Sequence, residues 1–228
     1  MSDIHPVDGA AYGSWVRAGG ELWNTVGRTW SVFRRNSEEL LRLLNLVESN
    51  FALSINLMNG DPETTAPFWG ELDQRIHNEV ASAATLIDIT RRLTRYYRRF
   101  VPSIIDEFTI RNAAVAGMNE AGFIRDLRNY LLHFDVPPII QSMSLGQDEN
   151  SVTGFSLKLS AARLLKWSDW ERSKEYLSSF PEGDGPSINR DVAAYVEAMS
   201  QAYGWLFSQR IPINNDPQVL DRFRIKGQ

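Results

Sequence analysis

The sequence predicts a mainly all-α protein, a helical bundle with a small appended β-hairpin and further C-terminal helices. The helices follow from apolar residues that recur at steps of three or four, which places them on one face of a helix. One such series lies in the first third of the chain: Leu40, Leu44, Val47, Phe51, Ile55 and Met58. The hairpin follows from a segment in which Phe155, Leu157 and Leu159 alternate with polar residues, as in a half-buried strand.

Two helices are predicted in the first sixty residues. Apolar residues at helical spacing over 22–33 mark the first of them. Asn36 followed by Glu39 resembles a capping box, in which each side chain bonds a free backbone N–H of a helix start. We therefore expect a new helix to begin at Asn36 and to end at the turn-forming segment NGDPE, 59–63.

Two more helices and the hairpin follow. The spacing predicts a third helix over about 72–100, which Pro102 should end or bend because proline cannot continue a helical hydrogen-bond ladder. A short helix is predicted over 121–134. Residues 139–160 then form the predicted β-hairpin, with the polar segment GQDEN, 146–150, as its turn.

The C-terminal part of the chain is predicted to return to helix. SDWE, 168–171, resembles a second capping box and should open a short helix. FPEGDGPS, 180–187, has the composition of a loop. Apolar residues at helical spacing from Val192 to Leu206 predict a final helix, and the tail after Pro212 is expected to be loose.

The length and composition favour one folded unit. The chain has 228 residues, 43% of them apolar, which is enough to bury a core without covalent links. We expect a single domain, 1–228, because no linker or repeat interrupts the pattern. Its helical core should span about 20–135, the hairpin about 139–160 and the C-terminal helices about 161–208.

Composition excludes several classes of protein. The chain has no cysteine, so disulfides, thiolate metal sites and cysteine nucleophiles are absent. We expect no secretory signal and no membrane association, because no basic-then-apolar leader and no run of about eighteen apolar residues is seen. A cytoplasmic protein is the resulting expectation. The formal net charge of −4 is not typical of nucleic-acid-binding domains, although 20 of the 24 basic residues are arginine.

The common motifs of nucleotide, metal and serine-nucleophile chemistry are missing. Neither phosphate-binding glycine motif is present, nor are H-E-x-x-H and G-x-S-x-G. The three histidines, His5, His77 and His133, lie far apart in the sequence. We therefore predict no metal site.

Polar chemistry is concentrated in the segment RDLRNYLLHFDVPP, 125–138. On a helix, Asn129 and His133 are one turn apart on the same face, Arg125 is one turn before Asn129, and Arg128 lies at the edge of that face. Apolar residues between them can anchor the helix in a core. The cluster lies near the end of the helix, where the helix dipole favours a positively charged imidazole.

A second basic surface is predicted near the end of the third helix. At 100° per residue, its arginines fall within an arc of about 120°. They are Arg91, Arg92, Arg95, Arg98 and Arg99. This face could grip a nucleic-acid backbone. It could equally be solvated surface that is partly neutralised by Asp88, one turn before Arg91 and Arg92.

The segment RNYLLH, 128–133, resembles the Arg-x4-6-His motif of the HEPN (higher eukaryotes and prokaryotes nucleotide-binding) superfamily. Its members are helical bundles, and many are metal-independent ribonucleases. The form with asparagine directly after arginine is common among active members. The resemblance covers the motif and, more loosely, the helical organisation of about 20–135.

The resemblance implies a catalytic set of Arg128, Asn129 and His133 and no cofactor. His133 would exchange protons with the ribose 2′-hydroxyl or the leaving oxygen. Arg128 would bind the phosphate, and Asn129 would orient the imidazole or the phosphate. The products would be a 2′,3′-cyclic phosphate and a 5′-hydroxyl.

The partners implied by the resemblance are RNA, a second copy of the chain that meets the first through the motif-bearing helix, and an antitoxin protein. Toxin or antiviral defence would be the biological setting. Four further arginines could hold the RNA backbone: Arg125, Arg91, Arg95 and Arg98.

Two alternatives stay open. Arg128 and His133 could cap the helix and pair with Asp126 or Asp135. The protein could also be a non-catalytic helical dimer that binds nucleotide, RNA or a protein partner. In that case tryptophans outside the apolar stripes could form an exposed contact surface. The tryptophans concerned are Trp15, Trp69 and Trp170.

Overall fold

Helices form most of the protein, as the apolar spacing predicts. The computed structural model describes residues 9–145 and 152–209, and the side chains of residues 17–143 and 154–209. Within these ranges the chain forms eight helices and one two-stranded antiparallel sheet. In chain order they are α1 (Gly9–Ser49), α2 (Phe51–Asn59), α3 (Pro62–Tyr97), α4 (Pro102–Ala116), α5 (Asn119–His133), β1 (Ile139–Leu145), β2 (Val152–Leu159), α6 (Ala161–Leu164), α7 (Lys174–Ser178) and α8 (Ile188–Ser208). The mainly all-α prediction with one small hairpin is confirmed.

The predicted helix start at Asn36 is wrong, because α1 runs through it without a break. The Asn36 side chain donates instead to the backbone carbonyl of Asn78 on α3, at 3.2 Å. Phe33 and Leu40, on either side, are both fully buried, so the apolar face of α1 continues across this position. The break comes at Asn50, whose side-chain oxygen accepts a hydrogen bond from the Leu53 N–H at 3.1 Å and begins α2.

Prolines begin two of the helices. Pro62 starts α3 ten residues before the predicted start, at the position where a missing N–H costs nothing. Pro102 follows α3 as predicted, but it also begins α4, which the sequence patterns did not indicate. The reason is that α4 buries only three of its fifteen residues, Ile105, Phe108 and Val115. Its apolar periodicity is correspondingly weak.

The two strands of the hairpin pair with each other, and β2 packs against α1 and α8. Ile139 on β1 pairs with Leu159 on β2, and the antiparallel register runs to Leu145 opposite Val152. The alternation on β2 is confirmed, because Phe155, Leu157 and Leu159 are all buried. The predicted turn, 146–150, and the tail after Pro212 lie outside the described residues.

The segment between α6 and α7 is not the predicted helix. Residues 168–173 are irregular, and the Ser168 hydroxyl donates to the adjacent Asp169 carboxylate at 2.6 Å. Trp170 is buried, and its indole N–H donates to the Leu164 carbonyl at 2.9 Å, which draws the segment inward. The loop over 180–187 and the final helix α8 are confirmed.

The long helices share one buried cluster. Tyr203 of α8 is fully buried, its hydroxyl lies 2.7 Å from that of Thr90 on α3, and its ring stacks on Trp30 of α1 with centroids 4.9 Å apart. Of the helices described, none is long and apolar enough to cross a membrane.

Candidate anion-binding groove

A groove of about 430 Å³ opens between α3, α4, α5 and α8. Tyr195 and Met199 of α8 contribute to its lining and are nearly fully buried, so they form its floor. Asn112 and Val115 of α4 close one side. Four arginines line the walls, and we call this cavity the arginine groove: Arg91 of α3, Arg125 and Arg128 of α5, and Arg172 of the segment before α7.

The charge of the arginine groove is strongly positive. Asp88 is the one carboxylate in the described lining, and it pairs with Arg91 at 3.0 Å. Arg125 lies 3.6 Å from Glu171, and both partners are well exposed. Such surface pairs contribute little free energy, so a phosphate can compete for either arginine. Arg128 and Arg172 form no ion pair with any residue that the structure describes.

Arg128 and Asn129 are already oriented towards each other. An Arg128 guanidinium N–H donates to the Asn129 side-chain oxygen, at 3.3 Å, and both residues are half-buried. The NH2 group of the Asn129 side chain and the remaining N–H groups of Arg128 stay available to a ligand. All of these groups are donors, so the pair suits an anion.

His133 lies outside the lining of the groove. It is the last residue of α5, it is exposed, and within the described ranges it makes no side-chain hydrogen bond or ion pair. At 100° per residue, His133 is about 140° around the helix from Arg128; it shares the face of Asn129 but lies one turn, about 6 Å, further along the helix axis. One copy of the chain therefore brings Arg128 and Asn129 into the groove and leaves the imidazole beside it.

The other predicted RNA-binding arginines divide into two groups. Arg91 and Arg125 line the groove together with the motif residues. Arg95 lies in the last turn of α3 and Arg98 directly follows that helix, and both are exposed outside the lining. Arg98 is engaged by Asp106 at 3.5 Å. Of these four arginines, two therefore line the groove and two lie on the surface outside it.

Neither carboxylate proposed as a partner of Arg128 or His133 contacts them. Asp126 is buried, and its Oδ2 accepts hydrogen bonds from the backbone N–H groups of Arg172 and Ser173 and from the Ser173 hydroxyl, at 2.8, 3.1 and 2.9 Å. Asp135 accepts from the N–H of the next residue, at 2.8 Å. The ion pairs of the helix-capping alternative, between Arg128 or His133 and Asp126 or Asp135, are therefore not formed among the described residues.

Arg172 is the groove residue that the sequence patterns missed. It is 44 positions or more from every other groove arginine, and no motif distinguishes it from the remaining arginines of the chain. Only the packing of its segment against α5 brings it to the groove. The segment is close enough that a Cβ at Gly122 would lie 3.4 Å from the Arg172 Cβ.

The predicted tryptophan surface is wrong for Trp170, because that side chain is buried against α5. Its ring stacks on Tyr130 and on Phe123, with centroids 5.7 and 6.3 Å apart. Trp69 is half-buried and packs against the core, and the Trp15 side chain lies outside the described residues. Burial is the reason, since a large ring contributes most to stability when it is removed from water.

The fold and the groove together define a class: a helical bundle with an open, arginine-lined groove on one side. Comparison of the chain with known protein families, with curated proteins and with solved structures finds no match. Among the described residues, no group of three or more His, Asp or Glu side chains is placed to hold a metal ion.

Proposed function

We propose that this protein is a metal-independent endoribonuclease of the HEPN type, acting in the cytoplasm. The observation that carries the proposal is the position of Arg128 and Asn129, half-buried in a solvent-open groove with Arg91, Arg125 and Arg172. No carboxylate among the described residues binds Arg128. A groove of this size holds a nucleotide-sized group, and its donors match the non-bridging oxygens of a phosphodiester.

The proposed reaction uses the RNA's own 2′-hydroxyl. Loss of its proton to a general base lets the 2′-oxygen attack the adjacent phosphorus, and the bond from phosphorus to the 5′-oxygen breaks as that oxygen takes up a proton. Arg128 binds the phosphate and stabilises the charge that builds on it, with Asn129 beside it. His133 exchanges the proton, either as base or as acid. DNA, which lacks the 2′-hydroxyl, is not cleaved.

A second copy of the chain would complete the site. His133 lies outside its own groove and is flanked by three exposed apolar residues, Leu132, Phe134 and Val136, whose exposed fractions are 54%, 49% and 56%. An apolar surface of this kind next to a candidate catalytic residue favours burial in an interface. A two-fold dimer through the end of α5 would cover it and bring each His133 towards the partner's groove.

A single substitution that introduces a charge tests the proposed dimer. Leu132→Glu places a carboxylate on this surface without removing a ring contact, and we expect it to convert a dimeric native protein to a monomer, because the charge would be buried unpaired. Sedimentation velocity at micromolar concentration measures the change. Val32→Glu, on an equally exposed apolar residue of α1, is the matched control and should stay dimeric. A native protein that sediments as a monomer would contradict the interface.

One observation favours a second candidate, a non-catalytic module that binds RNA or another phosphate-bearing ligand. His133 contributes nothing to the lining of the groove in a single copy, whereas the four arginines need no second copy to meet an anion. Under this alternative the groove binds RNA and releases it unchanged, and His133 is dispensable.

Cleavage of a mixed RNA pool in the presence of EDTA tests the proposal. We expect products with 2′,3′-cyclic phosphate and 5′-hydroxyl ends, and no product from DNA of the same sequence. Cleavage that stops with EDTA and returns with Mg²⁺ would contradict the metal-independent mechanism. Tight RNA binding without any product would favour the non-catalytic module.

The biological setting is proposed by analogy with the superfamily. An RNA-cleaving toxin or antiviral component must be inhibited until it is needed. An antitoxin with an acidic surface would be electrostatically complementary to the positive groove. Such a partner would be expected to compete with RNA for the same arginines.

A further inference from the structure

The segment 168–173, which we call the Arg172 loop, is held against α5 by several contacts. Trp170 stacks on buried aromatic rings of α5, as described above. Gly122, buried on α5, faces the loop: a Cβ there would lie 3.4 Å from the Arg172 Cβ and 3.9 Å from the Ser173 Oγ. Asp126, buried on the same helix, accepts three hydrogen bonds from the Arg172 and Ser173 backbone and the Ser173 hydroxyl. The end of the loop is therefore held in one position.

The anchored end of the loop carries one exposed side chain that lines the groove, that of Arg172. Ser173 is buried by the anchor, whereas Arg172 is exposed and lines the groove. Its backbone N–H is engaged by Asp126, so its guanidinium leaves the anchored backbone towards the groove. The Arg172 guanidinium makes no ion pair with a described residue, so the anchored backbone fixes the point from which this side chain extends.

We infer that Arg172 is a phosphate-binding residue of the arginine groove, and that Asp126 is the positioning residue that holds it there. The inference rests on the proposed binding of RNA in the groove. It adds a contact from outside the motif-bearing helix, so RNA would be gripped from α5 on one side and from the loop on the other. Pre-anchoring lowers the ordering entropy that a mobile arginine would lose on binding.

RNA binding can be measured without cleavage in a His133→Ala background, using a short fluorescein-labelled single-stranded RNA of mixed sequence and fluorescence anisotropy. We expect Arg172→Ala to weaken binding about tenfold, the size of one charge-assisted hydrogen bond. The slope of log Kd against log salt should fall by about 0.7, as for one lost phosphate contact on a single strand. Arg42→Ala, which removes an exposed arginine of α1 away from the groove, should change neither quantity.

Asp126→Ala should give a similar loss, and combining it with Arg172→Ala should produce no further loss, because both act on one contact. A general loss of stability would instead add to the effect of Arg172→Ala. If Asp126→Ala does not fold, Gly122→Val tests the same point, because its larger side chain pushes the loop from α5. Thermal unfolding identifies the folded variants.

The failures are distinguishable. If Arg128→Ala weakens binding and Arg172→Ala does not, the inference is overturned and the proposed function stands. If neither arginine matters, or the protein does not bind the RNA, both are overturned. If Arg172→Ala weakens binding but the loss from Asp126→Ala or Gly122→Val adds to it in full, the positioning role of Asp126 is overturned.

Discussion

His133→Ala is expected to lower the rate of RNA cleavage by about 10²- to 10⁴-fold, the usual contribution of one positioned acid or base. The side chain is exposed at the end of α5, so its removal should leave the fold and the melting temperature close to those of the native protein. RNA affinity should change much less than the rate, because the arginines of the groove hold the phosphate backbone whereas His133 acts on the proton. Single-turnover cleavage of one RNA, with affinity measured separately, resolves these effects.

Two further variants make that result specific. His77→Ala removes a half-buried histidine of α3 that lies away from the groove, and it should cleave at the native rate. Arg128→Ala should lose both affinity and rate, since the arginine would contact the phosphate before and during the reaction. Native cleavage by the His133 variant would rule out the catalytic role of this residue and leave the groove as a binding site.

Glu79→Gln is expected to remove a strong pH dependence of stability. Glu79 lies fully buried on α3, and burial raises its pKa from 4.5 to about 8, opposed in part by its hydrogen bond with Ser37. The Ser37 Oγ lies 2.9 Å from both Glu79 Oε2 and the Phe33 carbonyl oxygen. A hydroxyl has one proton for these two acceptors, so a protonated Glu79 can supply the second hydrogen bond.

The sign follows from proton uptake. Between pH 4.5 and about 8 the folded protein keeps a proton that the unfolded chain has lost, so the contribution of Glu79 to stability is greatest below pH 4.5 and falls as the pH rises. The limiting slope is about 1.4 kcal/mol per pH unit. Glutamine carries no such charge, so the free energy of unfolding of the variant should rise steadily relative to that of the native protein as the pH increases across this range.

Urea unfolding of both proteins at several pH values measures this difference. The comparison with the variant also cancels the contribution of Asp191, another buried carboxylate whose pKa is raised by burial and which lines the same small internal cavity. Glu21→Gln, an exposed glutamate of α1, is the control and should follow the native curve. Parallel curves for Glu79→Gln and the native protein would mean that Glu79 is ionised in the folded state.

The elements that could be predicted are those whose patterns repeat. The apolar face of α1, the face of α8 and the alternation along β2 each extend over several residues, so burial of one side is written in the spacing itself. The errors fell on short patterns. Asn36 and Ser168 both start capping-box sequences, yet a hydrogen bond to α3 uses Asn36, and burial of Trp170 reshapes the segment around Ser168.

The positions of the motif residues could be predicted only in part from the sequence. Their spacing on one helix predicted that Arg125, Arg128 and Asn129 would lie close together, and all three line the groove. The same spacing places His133 one turn beyond Asn129, but it could not say whether the groove extends that far, because this depends on which elements cover the last turn of α5. In the described structure His133 is the final residue of α5 and stays in solvent.

The sequence by itself determined the main apolar face of each long helix, that a hairpin follows α5, and that arginines gather on α3 and α5. Only the tertiary structure decided that these arginines surround one groove and that Arg172 joins them. The physical reason is that periodicity records which face of a helix avoids water, but not which other element covers that face. Asp126, a buried carboxylate of α5, and Trp170, a buried ring of the loop, join two segments that no local pattern connects.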